Sequence, residues 1–246
     1  MKRAWRLPGP QGRTITVNRT TAYAATTGIA VPKQPCAPAR ERCADRPAPV
    51  VRDLRDRAGR SPRALLFGPQ DLVVITGLPG SGKSTLMRRA VRGRRVDSQD
   101  ARDRWAARMP RLVPYALYRP LVRLAHYAGL RRVLRTGEGV VVHDCGTQGW
   151  VRGWLAREAR RRGGTLHLVL LDVTPETARA GQRERGRGVS RYAFVRHRRT
   201  TARLLDAVER GALPAGCDAA LLLDRAAADV LHRIVFTGGG VVTATR

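Results

Sequence analysis

The chain has 246 residues, 43% hydrophobic and 5% aromatic, with a formal net charge of +28. That length suits one domain or two small ones, and the apolar content is enough for a sizeable core, which excludes a wholly disordered chain. Arginine supplies nearly all the positive charge, with 44 residues against three lysines. The surplus suggests phosphate-rich partners such as nucleic acid, but only weakly, because arginine also fills solvated positions in a chain with this Ala-, Gly- and Arg-rich bias.

In chain order, residues 1 to about 62 stand apart. Eight prolines fall among scattered arginines, with no sustained apolar period. Thr14–Val17 reads as an isolated short strand and Val50 to Ala58 as a helical turn or two. Neither supports a core, so the composition predicts a disordered Arg/Pro-rich extension over 1–62. The basic start, Met1-Lys-Arg, is followed by no apolar h-region, so no signal peptide is expected. No apolar run approaches the ~18 residues needed to span a membrane. The four cysteines (Cys36, Cys43, Cys145 and Cys217) lack CxxC pairing or histidines at zinc spacing, and read as reduced thiols in a cytoplasmic protein.

From Leu65 onward apolar strands alternate with longer helical stretches, the pattern of an α/β parallel sheet. Predicted strands cover 72–76, a weak 95–96, 139–143, 166–172 and 220–223. Predicted helices run from Lys83 to about Arg92, Ala101 to Met109, Tyr115 to Arg135, Trp150 to Arg162, Pro175 to about Arg185 and Tyr192 to Glu209. A last helix, capped by Asp224, is expected to continue through Val235. The long helix at 115–135 is expected to bury a stripe of Leu117, Leu121, Leu124, Leu130 and Leu134. The fold class is thus α/β, a five-stranded mostly parallel sheet with helices on both faces. The domain is expected over 63–236, with a flexible tail at 237–246.

One segment carries strong chemistry. Gly77-Leu-Pro-Gly-Ser-Gly-Lys-Ser84 is the GxxxxGK[ST] phosphate-binding loop, placed between the first strand and its helix. Its glycines let backbone N–H groups wrap a polyphosphate, and the helix N-terminus adds the positive end of its dipole. Gly77, Gly80, Ser81, Gly82, Lys83, Ser84 and Thr85 are the expected ATP contacts. Lys83 reaches the β- and γ-phosphates, and the Ser84 hydroxyl ligates Mg²⁺. Other polar groups gather at the carboxyl ends of the strands, where ligands of open α/β sheets bind. They are Asp97-Ser-Gln-Asp100 with Arg102, Asp144 with Thr147, and the run Arg183-Glu-Arg-Gly-Arg187.

Over residues 70–236 the chain resembles the small P-loop kinases of the AAA-type ATP-binding group: polynucleotide kinase, gluconate and shikimate kinases, and the zeta-toxin sugar-nucleotide kinases. The resemblance implies a P-loop NTPase fold. It also implies a carboxylate after the second strand that orients or deprotonates the acceptor hydroxyl, which matches Asp97 or Asp100 with Arg102. Asp100 also reads as a helix cap before Ala101. Asp144 resembles the strand-end aspartate that holds the Mg²⁺ water shell or contacts the acceptor, and also reads as a turn residue. Arg183 and Arg185, with Arg187, Gly186 and Gly188, resemble a mobile lid acting on the γ-phosphate, and equally suit a solvated helix end. His143 reads as packing against a neighbouring helix.

The leading expectation is a kinase that moves the ATP γ-phosphoryl group to a hydroxyl of a small-molecule or nucleotide-like acceptor. Two alternatives stand beside it: an ATP-dependent switch or accessory ATPase acting on a partner, and a nucleic-acid end kinase.

Overall fold

Valine- and leucine-rich runs separated by helices fold into a parallel sheet, as expected. The computed structural model describes residues 29–30, 50–57, 60–110, 112–143, 149–184, 186 and 190–237. The strands are β1 (Ile29–Ala30), β2 (Val50–Asp53), β3 (Ala64–Phe67), β4 (Leu72–Gly77), β5 (Arg94–Val96), β6 (Val140–His143), β7 (Leu166–Leu171), β8 (Ala219–Leu223) and β9 (Arg233–Phe236). The helices are α1 (Lys83–Ala90), α2 (Ser98–Ala106), α3 (Tyr115–Leu134), α4 (Gly149–Arg161), α5 (Pro175–Arg183), α6 (Arg191–Glu209) and α7 (Arg225–Val230).

The main sheet runs β2-β8-β7-β4-β6-β5, with every pairing parallel. A smaller parallel sheet has the order β1-β3-β9. Alternate residues of the central strands feed two separate cores, as the two-residue strand period requires. Val73, Ile75, Val141, Val169, Leu171, Leu221 and Leu223 pack with α1, α7 and the small sheet on one face. Leu72, Val74, Val140, Val142, Leu168, Leu170 and Leu222 pack with α3, α4 and α6 on the other. Strands covered on both faces must be apolar at every position, which is why β4, β7 and β8 read as continuous runs.

The structure corrects the expected layout in four places. First, Val50–Asp53 is a strand rather than helical turns, and it pairs with Ala219–Leu222 at the edge of the main sheet. The chain after it also packs: Leu54 is 2% exposed, and its N–H donates to the Leu222 carbonyl. The Arg55 guanidinium bonds Asp53, Asp172 and Glu209. The described residues 50–57 and 60–62 therefore pack with the domain, ahead of the boundary expected at 63. The rest of the expected extension, apart from Ile29–Ala30, lies outside the described residues, as does most of the tail.

Second, the last helix stops at Val230. Leu231 turns extended at φ −71°, ψ 108°, and Arg233–Phe236 pairs with β3. Among the described residues the sheets thus hold six and three strands rather than five in all. Third, α3 buries only part of its expected stripe. Leu130 and Leu134 are in the core, whereas Leu117, Leu121 and Leu124 are 72%, 49% and 69% exposed. The first half of α3 packs on the short α2, through Tyr118 and Val122 against Ala101. Its second half reaches the sheet. Fourth, α2 begins at Ser98, and its cap is Asp97, whose carboxylate accepts from the Gln99 N–H at 2.9 Å; Asp100 does not cap it. Among the described residues no helix is long and apolar enough to cross a membrane.

Candidate active site

The phosphate loop joins the carboxyl end of the central strand β4 to α1. Gly77, Gly80 and Gly82 have φ of 146°, 92° and 93°, a region that L side chains rarely enter. A Cβ on Gly80 would also strike the Ala178 carbonyl oxygen. The loop is pinned from above as well: Gln182 on α5 donates to the Pro79 carbonyl at 2.8 Å, and Leu78 packs with Ala178 and Phe194. Gly82 caps α1 without a side-chain hydrogen bond, so the first N–H groups of α1 face the loop cavity and can serve a bound phosphate. Lys83 folds over the loop, with Nζ donating to the Gly77 carbonyl at 2.9 Å and the Leu78 carbonyl at 2.6 Å. Ser81, Lys83 and Ser84 are buried, while Thr85 is exposed.

The decisive grouping lies beside Ser84. β5 and β6 run parallel with Val96 opposite Val142, so the next residues, Asp97 and His143, emerge side by side at the carboxyl edge. Asp97 Oδ1 lies 2.6 Å from His143 Nδ1, and the Asp97 side chain is 2% exposed. The Ser84 hydroxyl is near enough to this carboxylate to help hold it ionised. Burial alone would push the Asp97 carboxyl up; the hydrogen bond and charge of His143, with the Gln99 N–H and Ser84, hold it well below the ordinary carboxylate range. Asp97 is therefore ionised, fixed in place by His143 and the Gln99 N–H, and near the phosphate-loop serine.

The other expected site residues are placed less tightly. Asp100 is exposed in the first turn of α2. The Arg102 guanidinium stacks on the Tyr115 ring at 4.4 Å, which turns it toward α3. Arg183 is exposed at the end of α5, where the Gly186 N–H donates to its carbonyl and Gly186 takes φ 60°. That is a helix-ending turn. Asp144, Arg185 and Arg187 lie outside the described residues.

Sequence reading missed His143, whose signal was its register beside Asp97. It also missed a cleft of about 180 Å³ beyond the loop, lined by Ser81, Gly82, Thr85, Arg225, Asp229 and Glu184 among others. Arg225 bonds Asp229 at 2.9 Å there. At the opposite, amino end of the strands sits a second buried pair. Asp71 Oδ2 lies 3.0 Å from His167 Nε2, while Asp71 Oδ1 accepts from the Thr165 N–H and hydroxyl, each at 2.9 Å. Burial would raise the Asp71 carboxyl, but His167 and the N–H groups of Thr165 and Gly68 bring it down to about 2. Its distance along β4 from the loop makes it part of the framework.

Residues 72–210, more than half of the chain, match the model of the family described as AAA domain. The chain belongs to the AAA domain family. With its complete phosphate loop it is a nucleotide-binding P-loop protein, a phosphotransferase or ATPase. Among solved structures it is similar to the PezAT chromosomal toxin-antitoxin system of Streptococcus pneumoniae, at 15% identity and TM-score 0.48, over 72% of this chain and 80% of that one. A gluconokinase from Sinorhizobium meliloti 1021 is similar at 18% identity and TM-score 0.39, over 67% and 89%. The Deinococcus radiodurans tunicamycin resistance protein is similar at 15% identity and TM-score 0.35, over 55% and 80%. Among curated proteins none matches the sequence significantly.

Proposed function

We propose that the protein is a kinase that transfers the γ-phosphoryl group of ATP to a hydroxyl of a small-molecule or nucleotide-like acceptor. The observation that carries this reading is Asp97: a buried, ionised carboxylate held by His143 near Ser84 at the carboxyl edge of the sheet. An ATP-hydrolysing switch needs a positioned water but no built carboxylate for an acceptor. A kinase needs a group that orients the acceptor hydroxyl and takes its proton.

Each remaining part has a task on this reading. The loop glycines and the open start of α1 bind the phosphates. Lys83 exchanges its contacts with the Gly77 and Leu78 carbonyls for phosphate oxygens, a trade of neutral acceptors for charged ones. The Ser84 hydroxyl is a hard oxygen that fits Mg²⁺, and Asp144 is the further candidate ligand. When bound, Mg²⁺ would neutralise charge on the β- and γ-phosphates. Arg183 and Arg185 would supply guanidinium groups that offset charge developing on the γ-phosphate oxygens.

The test is to incubate the protein with γ-labelled ATP and a panel of hydroxyl acceptors, including sugars, nucleosides and 5′-hydroxyl oligonucleotides. Label arriving on one acceptor supports the kinase. Label released only as inorganic phosphate, at a rate no acceptor changes, replaces it with the ATPase reading.

A further inference from the structure

The face formed by α3 and α4 carries a feature that phosphoryl transfer does not use. The whole chain has only four tryptophans and five tyrosines, yet three such rings meet on this face. Tyr127 lies 5.1 Å from Trp150 and 6.5 Å from Trp154, centroid to centroid, with His126 at 5.3 Å on its other side. Trp150 is 58% exposed, although burying a large ring is strongly favourable. Beside Trp154 lies a cleft of about 580 Å³, also lined by Arg131, Leu134, Arg135, Glu158 and Arg161. Tyr115–Leu134 contains no acidic residue, and Gly149–Arg161 contains one, Glu158. Its charge is matched by Arg161 at 2.6 Å.

We propose that this face is a binding site for single-stranded nucleic acid, with the exposed Trp150, backed by Tyr127 and Trp154, stacking on a base while Arg131 and Arg135 neutralise phosphates. The chemistry selects this occupant. Another copy of a +28 chain is repelled by an all-cationic helix. An uncharged apolar partner leaves the arginines without counter-charge. A single strand offers flat π-faces and a phosphate at each step, the two groups that an aromatic row with an arginine rim satisfies together. α4 is 13 residues long, about 20 Å at 1.5 Å per residue, enough for a short stretch of strand. The row begins toward the carboxyl edge, since α4 runs back from the end of β6. His126 is near enough to His143 and Asp97 to feel their charges. This binding does not depend on the kinase reading and is tested without ATP.

The experiment measures binding of a short fluorescent oligothymidylate to the full chain, with intrinsic tryptophan quenching as a second readout. Inorganic polyphosphate serves as an anion without bases. Trp150→Ala, at an exposed position, should keep its melting temperature and weaken oligothymidylate binding about tenfold, the loss of one stacked base. It should leave polyphosphate binding unchanged. The Arg131→Glu, Arg135→Glu double variant should weaken both ligands. Oligothymidylate binding that is untouched by Trp150→Ala, or weakened no more than polyphosphate binding, overturns the proposal. So does a wild-type chain that binds both ligands equally without tryptophan quenching.

Discussion

Two leucines exchange the roles that their sequence contexts suggest, and replacing each with alanine tests the fold directly. Leu54 lies in a stretch composed like a disordered extension, yet it is 2% exposed and packs in the core with Leu221, Leu223 and Leu231. Leu117 lies on an apolar helical period, yet it is 72% exposed. Leu→Ala in a core costs about 2–5 kcal/mol, the lower end where neighbours can relax. Leu54 follows an edge strand whose side chains are half-buried, so about 2–3 kcal/mol is expected. For a folded unit of about 190 residues, each kcal/mol moves the melting temperature by about 2–4 °C. Leu54→Ala should therefore melt about 4–12 °C below the parent. Leu117→Ala should remain within about 0.5 kcal/mol, as surface changes do. Circular-dichroism melts and urea midpoints read both. A Leu54→Ala protein that melts with the parent would refute the packing of residues 50–57 and 60–62, and a costly Leu117→Ala would refute the placement of α3.

Lys83→Ala should weaken ATP binding by at least about tenfold, the value of one charged hydrogen bond, with little change in melting temperature because its Nζ donates to loop carbonyls and Ser81; calorimetric titration beside a thermal melt checks it. The Asp71 carboxyl, brought down to about 2 by its buried partners, lends stability that is fully present above the ordinary carboxylate range near pH 4 and is lost as pH falls toward 2. Its contribution is about 2 kcal/mol. The difference in urea midpoint between the parent and Asp71→Asn should accordingly shrink between pH 5 and pH 2.5, and a constant difference would contradict the Asp71–His167 pairing.

What could be read from the sequence was what local spacing encodes. The phosphate loop is eight consecutive residues, and β4, β7 and β8 are continuous apolar runs because both their faces are covered. β2 escaped because Val50-Val-Arg-Asp53 follows two prolines and becomes half-buried only through β8, a neighbour about 170 residues away. β9 was read as helix because Asp224 is a real cap and the apolar residues continue past Val230; the extended backbone at Leu231 has no local signature. At the site, Asp97 was found as a strand-end carboxylate. Its partner His143 was not, because their pairing follows from the β5–β6 register. Asp100 shared its sequence neighbourhood but fell on the exposed side of the first helical turn.

The central claim is that Asp97 serves an acceptor hydroxyl while the loop holds ATP, and one comparison addresses it. With the acceptor found by label transfer, acceptor-dependent ADP release is measured for the parent and for Asp97→Asn, alongside ATP affinity. Loss of an acceptor-positioning base predicts a kcat lower by about 10²–10⁴-fold with ATP affinity nearly unchanged. An Asp97→Asn enzyme that turns over at the parental rate would contradict the claim and place the acceptor elsewhere on the carboxyl edge.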